Sequence, residues 1–116
     1  MRRDARAHLQ DVVEAEAILS SLSGVDFDEY LATRSLRSAV EREFTIIGEA
    51  VTRLSRLDPE LFARITNGRR IVDFRNQLTH EYQRVDDRIV WLIARDDVPV
   101  LLAECEVLLG EVGDAD

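Results

Sequence analysis

Residues 35–57 read SLRSAVEREFTIIGEAVTRLSRL. Leu36, Val40, Phe44, Ile47, Val51 and Leu54 recur every three or four residues, which is the period of one face of an α-helix. A helix this long, apolar on one side only, must lay that side against other helices or a sheet. Ala39, Gly48 and Ala50, on or near the stripe, let another helix approach closely.

The same periodicity continues in both directions. Asp4 to Leu22 carries Leu9, Val12, Val13, Ala17 and Leu19 at helical spacing, with Asp11, Glu14 and Glu16 expected on the other face. Ser23-Gly24 ends that segment, and Asp28 is the expected N-cap of a brief helix holding Tyr30 and Leu31. After the long helix, Asp58-Pro59 restarts the chain, since aspartate caps well and proline suits the first helical position. A short helix from Pro59 to about Thr66 follows, closed by Asn67-Gly68. Arg69 to about His80 forms the next, with Ile71, Val72, Phe74 and Leu78 apolar. Asp86-Asp87 precedes Ile89 to Ile93, and Asp96-Asp97 with Pro99 opens the last helix. No run alternates as a half-buried strand would. The expectation is an all-α fold, an antiparallel helical bundle of about five to six helices.

Composition narrows the function classes. The 116 residues suffice for one domain with its own core, spanning 1–116. Hydrophobic residues at 46% exclude a disordered chain. No stretch reaches the roughly 20 apolar residues of a membrane span, and the N-terminal MRRDARAH lacks the apolar core of a secretion signal, so a cytoplasmic protein without a membrane partner is expected. The lone Cys105 can form no internal disulfide and no cysteine-based zinc cluster, and its apolar helix predicts a buried, inert thiol. All 15 basic residues are arginine against 23 acids, a net charge of −8. That balance opposes charge-driven binding to duplex DNA, and no sequence-specific DNA contact is expected, while a local basic site stays open. No phosphate-binding loop, dinucleotide motif or metal-ligand spacing is present, and neither cofactor nor metal is expected.

One octapeptide carries chemistry: Arg75-Asn76-Gln77-Leu78-Thr79-His80-Glu81-Tyr82. Arginine grips phosphate through paired hydrogen bonds, and histidine exchanges protons near neutral pH. Together they suffice for metal-free RNA cleavage. His80 would take the ribose 2′-hydroxyl proton or protonate the leaving oxygen, and Arg75 would stabilise the charge gathering on the phosphate. Asn76 would orient the phosphate or His80. Two copies across a two-fold axis would supply both base and acid. The plainer reading is structural: cations near a helix C-terminus favour its dipole and cap free carbonyls. His80 stands five residues from Arg75, roughly 140° round a helix, while Tyr82 returns to the face of Arg75 only if the helix continues that far.

The octapeptide also resembles the R-x4-H-x-Y signature of HEPN-domain toxins, and Ala39 to Ala50, AVEREFTIIGEA, is similar to the second-helix signature of the HepT-like branch. Val85-Asp86-Asp87-Arg88-Ile89-Val90-Trp91 and Asp97-Val98-Pro99 are similar to the segments that follow, so the resemblance covers nearly the whole chain as a single HEPN-like domain. It implies a two-fold homodimer with the Arg and His of each copy at the interface, acting as a metal-independent ribonuclease. It implies a minimal nucleotidyltransferase partner that serves as antitoxin by transferring AMP to the motif tyrosine. Carried over, Arg75 and His80 become catalytic, Asn76 supporting, and Tyr82 the modified residue, where AMP would add a bulky anion beside the RNA-binding cations. The alternative is a non-catalytic helical module that partners, and is modified by, the nucleotidyltransferase. Asp73-Phe74 departs from the Gly-Met pair common before the motif arginine, and Asp73 is placed to pair with Arg75, Arg69 or Arg70. Arg69, Arg70 and Arg84 are candidate RNA-backbone contacts, or a solvated face. Glu49 is placed to position motif residues across helices, or to make a surface salt bridge.

Overall fold

The chain folds as helices packed on one continuous apolar core. The computed structural model describes residues 2–20, 24–80 and 86–112, with side chains described at 5–20, 24–77 and 86–112. These residues form α1 (Arg2–Ser20), α2 (Phe27–Ala32), α3 (Arg34–Leu57), α4 (Pro59–Phe62), α5 (Gly68–His80), α6 (Asp87–Asp96) and α7 (Val98–Val112), and no strand is found among them. Two of the seven are short: α2 has six residues and α4 only four. None of the described helices is long and apolar enough to cross a membrane.

The apolar stripe of α3 behaves as its spacing requires. Val40, Phe44, Ile47, Val51 and Leu54 are buried and Leu36 is partly so. α1 lies between α3 and α7, and α5 packs on α3 as well. Leu19 and Leu36 line the same cavity, as do Ala5 and Leu108, so α1 runs antiparallel to both its neighbours. Phe27 on α2 meets the Trp91 ring of α6 edge-on at 5.4 Å, and the Arg95 guanidinium lies 4.8 Å over the same indole. Cys105 is fully buried, and loss of water with nearby Glu16 and Glu104 pushes its thiol up to about 12.

Carboxylate caps set the helix starts. Asp58 accepts a hydrogen bond from the Leu61 amide at 3.1 Å, with Pro59 at the first position of α4. Asp86 accepts from the Arg88 amide at 2.9 Å to open α6. For α2 the cap is Asp26, not Asp28: its carboxylate accepts from the Glu29 amide at 2.8 Å. Asp28 already lies inside the first turn, where its charge still favours the helix dipole.

α1 brings a second correction. Ala5, Leu9, Val12, Ala15, Glu16 and Leu19 are buried, whereas Ala17 faces solvent. The steps 5, 9, 12, 16, 19 alternate four and three, so position 16 falls on the inner stripe whatever occupies it. Glu16 is 0% exposed, and neither carboxylate oxygen has a hydrogen-bond partner among the described residues. Burial, with the charge of Glu106 added, raises its pKa to about 9. At neutral pH Glu16 is a carboxylic acid inside an apolar core.

Candidate active site

α5 is set in place by the turn before it. The Arg64 guanidinium holds the Glu111 carboxylate of α7 in a fork, at 2.5 and 2.7 Å. Glu104 of α7 accepts from the Thr66 amide at 3.0 Å and also from its hydroxyl. Gly68, the first residue of α5, lies so close to Phe62 that a Cβ there would come 2.8 Å from the ring. Beyond it, Ile71, Val72 and Phe74 are buried, with Phe74 edge-on to Phe44 of α3 at 5.5 Å.

This packing brings Arg75 down onto α3 at Gly48. A Cβ on Gly48 would collide with the Cβ and Cγ of Arg75, and would stand 3.5 Å from its Cα. The close approach expected of Gly48 is therefore made by the motif arginine itself. The Arg75 side chain is 24% exposed, and its Nε is buried with no hydrogen-bond partner among the described residues. One terminal nitrogen donates to Asn76 Oδ1 at 3.2 Å, and the other lies 3.8 Å from the Glu49 carboxylate. The second distance is an ion-pair contact beyond hydrogen-bond reach.

The other expected residues fall differently. Asp73 is exposed and takes part in none of the ion pairs among the described side chains. Arg70 instead contacts Asp97 at 3.3 Å, and the Arg69 guanidinium lies 5.5 Å from the centre of the Phe62 ring. Both arginines are exposed, and each directs its charge toward a neighbour in the protein. α5 continues to His80 as its last residue, so Arg75 and His80 share one uninterrupted helix. The His80 side chain, Tyr82 and Arg84 lie outside the described residues.

Chemically, Arg75 presents a fixed, partly desolvated cationic donor beside one amide and one carboxylate. Such a donor suits an anionic oxygen, because a charged hydrogen bond in a partly dry setting is stronger than one in water. The pattern RNQLTH places an imidazole-bearing residue five positions further along the same helix.

Comparison with known proteins identifies the family. Residues 12–108 match the family model described as ribonuclease HepT-like. A protein of Methanocaldococcus jannaschii named "Putative RNase MJ1380" is 32% identical over 108 residues, covering 92% of this chain and 98% of that one. "Probable ribonuclease HepT" of Thermococcus cleftensis is 30% identical over 113 residues, covering 93% and 98% respectively. "Putative RNase TTE0752" of Caldanaerobacter subterraneus is 29% identical over 105 residues, covering 90% and 93%. With its helical fold and motif-bearing α5, the chain belongs to the HepT-like ribonuclease family.

Proposed function

We propose that this protein is the toxin of a toxin–antitoxin pair: a metal-independent endoribonuclease that cleaves RNA with Arg75 and His80. The observation that carries the reading is the seat of Arg75 on Gly48, five residues before His80 on one helix, in a chain of the HepT-like ribonuclease family. Two copies of the chain meet about a two-fold axis in this reading, each contributing one arginine and one histidine to a shared cleft. One His80 takes the proton from the ribose 2′-hydroxyl as the 2′-oxygen bonds to phosphorus. The bond from phosphorus to the 5′-oxygen breaks, and the second His80 protonates that oxygen. Arg75 stabilises the negative charge that builds on the phosphate, and Asn76 steadies Arg75. The products are a 2′,3′-cyclic phosphate and a 5′-hydroxyl.

Purified protein in EDTA is expected to cleave RNA to 2′,3′-cyclic ends, and His80→Ala to remain folded and inactive. Intact mass must accompany the assay, since protein already carrying AMP would look inactive. Light scattering should show a dimer. If His80→Ala cleaves as well as wild type, the assignment is wrong. If unmodified, dimeric wild type cleaves no RNA, the domain is a binding module for its partner.

The antitoxin in this proposal is a minimal nucleotidyltransferase that moves AMP from ATP to the Tyr82 hydroxyl, releasing pyrophosphate. The phosphodiester so formed carries negative charge close in sequence to Arg75 and His80 and competes with RNA phosphate for them. Incubation with the partner and ATP is expected to add the mass of AMP to wild type and none to Tyr82→Phe. Equal addition to both proteins would move the modification elsewhere.

A further inference from the structure

Among the described residues, the Arg75 guanidinium is held by few contacts for a group of five donors. Nε is buried, one terminal nitrogen donates to its sequence neighbour Asn76, and the other faces Glu49 at 3.8 Å without hydrogen bonding to it. The side chain's stem is fixed much more firmly. Its Cβ and Cγ fill the space that a side chain on Gly48 would need, so the stem has one path along α3. Glu49 is the next residue of α3, and its carboxylate lies at the end of that path.

We propose that Gly48 and Glu49 form a positioning device for Arg75: Gly48 fixes the stem, and Glu49 turns the guanidinium toward substrate phosphate. The inference rests on the ribonuclease reading of the site. A carboxylate in direct hydrogen-bonded contact would occupy the donors and oppose an incoming phosphate. At 3.8 Å the charge still orients the planar group without consuming its N–H bonds. Glu49 is 46% exposed, so the pair adds little to folding stability. Its effect belongs to catalysis, where a small misplacement of a positioned group costs up to about a hundredfold.

Positioning separates kcat from KM. Glu49→Gln removes the orienting charge and also a negative charge near the RNA. Its kcat is expected to fall about tenfold to a hundredfold, while KM for RNA stays level or decreases. Glu49→Asp keeps the charge at a shorter reach and should recover part of kcat. Unfolding midpoints of the two variants should match wild type. In NMR spectra of the free protein, the Arg75 Nε–H signal should shift and exchange faster in Glu49→Gln. Gly48→Ala forces the arginine stem or the helices apart and should lose activity together with some stability, so the Glu49 variants carry the decision. Arg75→Ala provides the reference. If Arg75→Ala cleaves like wild type, the ribonuclease site itself is wrong. If Arg75→Ala is inactive while Glu49→Gln keeps wild-type kcat, KM and Nε–H signal, the positioning role is wrong and the site stands.

Discussion

Replacing Arg75 with lysine is expected to lower the rate of RNA cleavage by about 10²–10³-fold, close to the loss from alanine. The substitution keeps the positive charge and most of the stem that lies against Gly48. The fold should therefore survive, because the apolar neighbours Ile71, Val72 and Phe74 are unchanged. What lysine lacks is the planar fork of donors. If that fork meets the charge that develops on the phosphate, an ammonium at the end of a flexible chain cannot replace it, since it would have to be reoriented during the reaction. Single-turnover cleavage with saturating RNA isolates the chemical step. Full activity in Arg75→Lys would mean that a point charge suffices and that the planar fork has no part in the reaction.

The residues that decide this experiment were unequally visible in the sequence. Spacing alone identified the inner face of α3 and put Gly48 at a close helix contact. A glycine advertises room, however, and says nothing about which side chain uses it; that Arg75 does so depends on how α5 crosses α3. Asp73 shows the opposite failure. It is near Arg75 in sequence, but residues two apart on a helix point to opposite sides, and helical geometry already disfavours the pair. The actual partner, Glu49, lies 26 positions earlier and is brought near only by tertiary packing. Arg69 and Arg70 were legible as exposed cations, yet their engagement with Phe62 and Asp97 again needed the fold. The shift of the α2 cap from Asp28 to Asp26 is of another kind, since both acids suit a helix start and only the backbone path chooses between them.

Glu16 was missed because charge outweighed period in reading α1, and it yields the largest expected change in stability. Its side chain has no exposure, no hydrogen bond at either oxygen among the described residues, and a pKa raised from the ordinary 4.5 to about 9 by burial and by Glu106. The folded protein thus holds a proton that the unfolded chain releases near pH 4.5. Stability from this proton is complete below that pH and is lost as pH rises toward 9, by about 1.4 kcal/mol per unit at most. Above about pH 9 both states have released it and the loss stops. Glu16→Leu should remove this dependence and stabilise the protein by about 2–4 kcal/mol at pH 7.5. Urea unfolding of both proteins at pH 5, 7 and 9 tests the claim through their difference, in which titrations common to both cancel. The difference should be smallest at pH 5, where only an unpartnered neutral carboxyl is being replaced, and should widen with pH. Parallel curves would mean that Glu16 has the same proton affinity folded and unfolded. Glu106→Gln makes the assignment sharper: removing the neighbouring charge lowers the folded pKa of Glu16, so the loss should end at a lower pH and leave the protein more stable in alkali.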